Sequence, residues 1–150
     1  MSIDVRTETV IDRPVGMVAD YAAEPSNAPQ WYVNIESVEW ETPPPLVAGS
    51  RLKFVARFLG RRLEYTYEIA DLVPGERLVM RTAQGPFPME TTYTWSAISP
   101  DATLMTLCNR GEPTGFSKVA APVMARMVRK ANNKDLRRLK SILEGMDPGK

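Results

Sequence analysis

From Phe116 to Leu143 the chain carries one long helical pattern, and every element before it is short. Val123, Met124, Met127, Val128, Ala131, Leu139 and Leu143 recur at helical spacing and make an apolar side. Arg126, Arg129, Lys130, Arg137 and Lys140 lie mostly opposite. Unbroken, such a helix runs roughly 40 Å. Pro122 either starts its main segment or kinks it, because proline lacks an N–H and clashes with the preceding turn. A sheet buries its apolar face against another element. Here the terminal helix is the only long amphipathic element available for that task.

The segments ahead of it read as strands. Ile3 to Ile11 alternates, with Ile3, Val5, Thr7, Thr9 and Ile11 on one side. Asp12 is placed to cap a following helix and Pro14 suits its first turn. Val15, Val18, Ala19 and Ala22 give that helix its stripe, and Pro25 ends it. Ser26 or Asn27 then caps one more short turn, carrying Trp31. Ile35 to Trp40 and Arg51 to Leu59 follow, the latter with Leu52, Phe54, Ala56 and Phe58 on one face. Gly60-Arg61 predicts a two-residue hairpin turn. Leu63 to Leu72 presents Leu63, Tyr65, Tyr67 and Ile69 to one face and Glu64, Thr66 and Glu68 to the other. Val73 to Glu76, "VPGE", suits a type II turn. Leu78 to Gln84 is the next strand, and Gly85, Pro86 and Pro88 mark a wider bend. Met89 to Ala97 and Thr103 to Arg110 pair around Ser99 to Ala102. Seven strands joined by such short connections are antiparallel.

The expected fold is therefore α+β: a curved seven-stranded antiparallel sheet wrapped on a long C-terminal helix, with two short helices between the first two strands. One helix cannot fill such a sheet near both its ends, so a cavity is expected between them. The stretch Ala28 to Glu41, "APQWYVNIESVEWE", sets a Trp31-Tyr32 pair directly before the second strand. That pair plugs a corner at the cavity rim.

Composition removes several kinds of function. The 150 residues suit a single domain spanning 1–150. The sequence has no histidine and a single cysteine, Cys108. A zinc site and a Ser-His-Asp or Cys-His nucleophile are thereby excluded, and no metal or other cofactor is expected. A net charge of +1 gives no reason to expect nucleic acid as a partner. No apolar run approaches the ~18 residues of a membrane span. The N-terminal segment lacks the apolar stretch of a signal peptide, and the lone cysteine suits a reducing compartment, so the expected location is cytoplasmic.

Three stretches carry a family resemblance. Val10 to Trp40, "VIDRPVGMVADYAAEPSNAPQWYVNIESVEW", joins a strand, a proline-started helix and a Trp-containing short helix before the second strand. Tyr67 to Thr82, "YEIADLVPGERLVMRT", holds a Pro-Gly turn between central strands. Asn133 to Gly145, "NKDLRRLKSILEG", ends a helix in Leu-x-x-Leu-Lys. Together they resemble the START and polyketide-cyclase-like superfamily, also called SRPBCC, with its helix-grip fold of the birch pollen allergen type. The resemblance covers nearly the whole chain. It implies a pocket for lipids, sterols, polyketides or other small apolar molecules, and no single activity.

On that scaffold Phe54, Phe58, Tyr65, Tyr67, Met80, Tyr93 and Trp95 line the inner sheet face, with Trp31 at the rim. The same residues also suit an ordinary core. Val123, Met124 and Met127 face the pocket from the helix. Pairing Trp95 with Thr106 puts Leu104, Thr106 and Cys108 on the pocket side, whereas a one-residue shift selects Met105, Leu107 and Asn109. The basic run from Arg126 to Lys140, with its one acid Asp135, reads as a solvated helix face. Asn109, Arg110 and Glu112 either orient a polar ligand group or form a loop salt bridge.

Three functions follow. The first is binding or transport of a small hydrophobic ligand. The second is a polyketide cyclase or dehydratase in which Tyr65, Tyr67 or Arg110 donates to a developing oxyanion. Glu64 and Glu68 point outward, so that reading lacks a base. The third is a module that engages a partner at the pocket mouth. A second copy of the chain stays among the candidate partners.

Overall fold

A computed structural model describes residues 3–58, 60–84, 88–112 and 121–146, with Phe58 given by its backbone alone. The elements are β1 (Ile3–Ile11), α1 (Val15–Ala23), a 3-10 turn (Pro25–Asn27), α2 (Ala28–Trp31), β2 (Ile35–Trp40), β3 (Arg51–Phe58), β4 (Arg61–Val73), β5 (Arg77–Gln84), β6 (Met89–Ser99), β7 (Ala102–Gly111) and α3 (Ala121–Glu144). The seven strands form one antiparallel sheet in the order β1-β7-β6-β5-β4-β3-β2. Because β1 and β2 stand at opposite edges, the α1–α2 segment has to cross from one edge to the other. Register shifts at Ile35/Ser37, Thr66/Tyr67, Ile69/Asp71 and Ala97/Ser99 each bend a strand and help curl the sheet around α3.

Local chemistry explains most boundaries. Gly75 takes φ 78°, and the Glu76 N–H donates to the Val73 carbonyl at 2.9 Å, closing the type II turn. Phe58 pairs with Arg61, so the β3–β4 hairpin turns one residue earlier than Gly60-Arg61. Asp12 does not cap α1 with its side chain; Pro14 holds the N-cap position, and the Asp12 N–H donates to Glu144 Oε2 at 2.9 Å. Asn27 holds the N-cap position of α2, as expected, although without a side-chain cap hydrogen bond, and the Glu24 carboxylate caps the preceding 3-10 turn by accepting the Ser26 N–H. Pro122 stands in the first described turn of α3, which continues unbroken to Glu144. Residues 116–120 of the long pattern, and 85–87 of the bend before β6, lie outside the described residues.

Some of the basic helix face does not simply meet water. Lys140 Nζ donates to the Val10 carbonyl at 2.7 Å and Arg129 to that of Arg6 at 3.0 Å. Arg13 donates to the carbonyls of Glu144 and Met146, satisfying acceptors left open where α3 ends. The helix is thereby pinned along edge strand β1.

The buried side chains fall into two clusters. Leu136, Leu139 and Leu143 of α3 join Val18, Trp31, Leu52, Ile69, Leu78, Met105 and others in the larger one. Ile3, Leu63 and Met124 form the smaller. Where β7 ends, a side chain at Gly111 has no room: a Cβ there would lie 2.6 Å from the Pro88 carbonyl oxygen and 2.4 Å from Met89 Sδ. Backbone cannot yield as a flexible side chain does. Gly111→Ala is therefore expected to cost about 1–3 kcal/mol in urea unfolding, as overpacking does. Among the described residues no helix is long and apolar enough to cross a membrane.

Candidate functional site

Strand register decides which side chains reach the interior. Ser99 pairs with Ala102, a register that, continued, would join Trp95 to Thr106. The irregularity between Ala97 and Ser99 shifts it by one, and Trp95 pairs with Met105 instead. This corrects the pairing of Trp95 with Thr106 expected from the turn alone. Met105, Leu107 and Asn109 turn inward, while Cys108 lies half-buried on the other face. Arg110 is also on that outer face, exposed and 3.7 Å from Asp4, so it is no donor to the interior.

A cavity of about 130 Å³ lies between the inner sheet face and α3. That is far above the roughly 10–15 Å³ that admits one water. Its α3 wall is Met124, Val128, Ala131, Asn132 and Asp135, a stripe at helical spacing. The sheet supplies Phe54, Tyr65, Tyr67, Met80 and Tyr93 among others, and Tyr32 closes the wall where α2 ends. Leu136, Leu139 and Leu143 continue the helix into the larger cluster, so α3 fills the sheet at one end and leaves space further along.

Six expected residues, Phe54, Tyr65, Tyr67, Met80, Tyr93 and Met124, thus lie on this wall. Trp31 and Trp95 are buried behind it. Trp31 packs on Tyr32 and Tyr93 with ring centroids 4.1 and 5.6 Å away, and Trp95 meets Tyr93 edge-on at 6.1 Å. Val123 is 44% exposed and Met127 half-buried; neither lines the cavity. The Phe58 side chain lies outside the described residues. Glu64 and Glu68 face outward, paired with Lys53 and Arg51.

The polar atoms of the wall are few, and most are spent on one another. The Tyr32 and Tyr93 hydroxyls share a hydrogen bond of 2.5 Å. Thr91 Oγ1 donates to Asn109 Oδ1 at 2.6 Å, which uses its one proton. The Tyr67 hydroxyl, 2.9 Å from Thr91, must therefore donate to it. Burial pushes Tyr67 up to about 12 and holds Tyr65 and Tyr93 well above the ordinary phenol range, so all three stay protonated near neutral pH. The Tyr65 hydroxyl makes no hydrogen bond among the described residues, and the single bond of the Tyr32–Tyr93 pair leaves one further phenol proton unused, so the wall keeps donors for a guest.

Asp135 is the residue that reading the sequence missed. It is 2% exposed, and one carboxyl oxygen accepts the Val33 N–H at 2.9 Å. Burial lifts its pKa to about 7, despite the opposing pull of that hydrogen bond and of Arg138 and Lys134. Asn132, one turn earlier on the same stripe, is also buried. The signal was present: four, seven and eleven residues past Met124 fall Val128, Ala131 and Asp135.

The sequence pattern of the family described as "Polyketide cyclase / dehydrase and lipid transport" matches residues 2–144. The chain belongs to this family. Polyketide cyclase / dehydrase and lipid transport proteins share a fold that fits hydrophobic ligand binding or cyclase-like roles. No curated protein matches the sequence. Solved structures show the fold widely spread. A START superfamily protein from Mycobacterium smegmatis superposes with a TM-score of 0.82 at 15% identity, covering 96% of this chain and 99% of that one. The Zhui aromatase/cyclase from a Streptomyces species gives 0.78 at 15% identity, covering 96% and 94%. Major latex-like protein 151 from Panax ginseng gives 0.73 at 13% identity, covering 93% and 96%. At such identities the likeness concerns the fold alone.

Proposed function

We propose that the chain binds or transports a small hydrophobic molecule, of lipid, sterol or polyketide-like character, in the cavity between sheet and α3. The observation that carries this reading is the cavity wall itself. Ring faces and methionines border open space, and the wall's phenols and threonine are largely paired among themselves. Such a wall rewards an apolar guest and leaves few sites where water is well held. The half-buried, unpaired Cys108 suits a reducing cytoplasm. The ligand contacts in this reading are Phe54, Tyr65, Tyr67, Met80, Tyr93 and Met124, with Trp31 and Trp95 supporting the rings from behind.

Tryptophan fluorescence tests it, because Trp31 and Trp95 touch Tyr93 on the wall. Titration with sterols, fatty acids and aromatic polyketides is expected to give a saturable change for at least one class. Native mass spectrometry of protein from its own host should show a retained small molecule. A flat response across the panel, with no retained mass, overturns the reading.

One observation favours a second reading, a polyketide cyclase or dehydratase. Asp135 supplies the base that was lacking, buried at the cavity and poised to titrate near neutral pH. Its carboxylate would take a proton from a carbon next to a carbonyl while the Tyr65 hydroxyl donates to the enolate oxygen. Asp135→Asn is then expected to lower turnover by about 10²-fold or more with binding retained. Unchanged turnover in that variant removes this reading and leaves the binder.

A further inference from the structure

Asn132 is 4% exposed, lies on the cavity wall, and its Nδ2 is a buried donor with no hydrogen-bond partner among the described residues. Native interiors rarely tolerate such a group, because an unpaired buried donor forfeits its hydration without return. Leucine has nearly the same shape and would remove the penalty. Among the described residues the two other buried side-chain donors without partners, Trp31 Nε1 and Trp95 Nε1, belong to residues off the wall. Several other wall polar groups bond to one another: the Tyr32 and Tyr93 hydroxyls share one hydrogen bond, and Tyr67 donates to Thr91, which donates to Asn109. The Tyr65 hydroxyl stays open among the described residues but is a phenol set on the sheet, not on the helix stripe. Asp135, three residues beyond Asn132 and so on the same helix face, makes one hydrogen bond among the described residues, to the Val33 N–H. An open donor and a carboxyl with spare acceptor capacity therefore sit side by side against an apolar space.

The chemical group that answers both is a hydroxyl, which accepts one hydrogen bond and donates one. Resting on the ligand-binding reading above, we propose that Asn132 and Asp135 are the recognition end of the cavity for an apolar ring compound bearing a hydroxyl. The ligand oxygen accepts from Asn132 Nδ2, and its proton is donated to a carboxyl oxygen of Asp135. The apolar remainder of the ligand lies against Phe54, Tyr65 and Met80. Asn132 is then held at a cost to the empty protein because the ligand repays it, the usual relation between a site residue and stability.

The test uses matched probes that differ only by hydroxyl against methyl: 4-ethylphenol with 4-ethyltoluene, and 2-naphthol with 2-methylnaphthalene. Wild-type protein is expected to bind at least one hydroxyl member about tenfold tighter than its methyl partner, since a site built for a hydroxyl rejects the analogue lacking it. Asn132→Leu is expected to erase or reverse that preference while keeping affinity for the methyl member. The ligand-free N132L variant should also melt a few degrees higher, because its orphan donor is gone. A lower melting temperature in N132L means Asn132 serves the fold, and the proposal falls. Methyl probes that bind wild type as tightly as their hydroxyl partners overturn this inference and leave the ligand-binding reading standing. If none of the four binds wild type, this inference falls, while the ligand-binding reading is decided separately by the sterol, fatty-acid and polyketide titration.

Discussion

Asp135→Asn is expected to stabilise the protein by about 4 kcal/mol at pH 8 and to change it little near pH 4. In the unfolded chain this carboxyl ionises near 3.8; in the folded protein burial holds it at about 7. Between those two values the fold keeps a proton that the unfolded chain releases. Stability therefore falls as pH rises through that window, by roughly 1.4 kcal/mol per unit, and levels off above pH 7. This is opposite in sign to a salt-bridged carboxylate, whose contribution is lost on acidification. Asparagine keeps an acceptor for the Val33 N–H and has no proton to lose, so the difference between variant and wild type isolates this one group. Urea unfolding of both proteins from pH 4 to pH 8 reads it directly. A stability difference that does not change with pH would show that Asp135 is not held protonated by burial, and would also remove the argument for it as a base.

The architecture was legible because it rests on patterns that repeat. Seven alternating segments, proline breaks and one long amphipathic stripe each report on burial over several residues, and an error at one position does not propagate. Inner faces of β3 and β4 were readable for the same reason: Leu52, Phe54 and Ala56 stand opposite Tyr67, Tyr65 and Leu63 in the register. The site was less legible, for two physical reasons. Strand facing has a period of two, so the single irregularity near Ile98 moved Cys108 to the outside and brought Asn109 in. The helix stripe was traced by hydrophobicity, which follows Met124, Val128 and Ala131, passes over the polar residues beyond them, and resumes at Leu139. Asn132 and Asp135 continue the same face, but a buried asparagine and aspartate look like solvent residues to any reading that equates polarity with exposure. Val123, apolar and exposed, is the converse error. The residues that depart from the pattern are those the proposed chemistry uses.

Trp31→Ala is expected to cost about 3–5 kcal/mol, a large share of the roughly 5–15 kcal/mol that holds a typical domain together. Trp31 is fully buried, and its ring supports two others, Tyr32 at 4.1 Å and Tyr93 at 5.6 Å, whose hydroxyls bond to each other. Removing it empties the corner where the segment between the two sheet edges docks. Tyr32 then loses the surface that fixes its place in the cavity wall. The melting temperature should drop by on the order of 10 °C. Ligand affinity should fall as well, although Trp31 does not line the cavity, because the hydroxyl pair closing one side is no longer held. Trp31→Phe separates the two effects. It keeps an aromatic face against Tyr32 and discards an indole N–H that has no partner among the described residues, so the penalty should be roughly half that of alanine. Far-UV circular dichroism in urea, read beside the fluorescence titration of Trp95, checks both variants. If W31A unfolds within about 1 kcal/mol of wild type, the aromatic corner does not anchor α2. The curled sheet would then hold its shape without it, and the position of Tyr32 would need another cause.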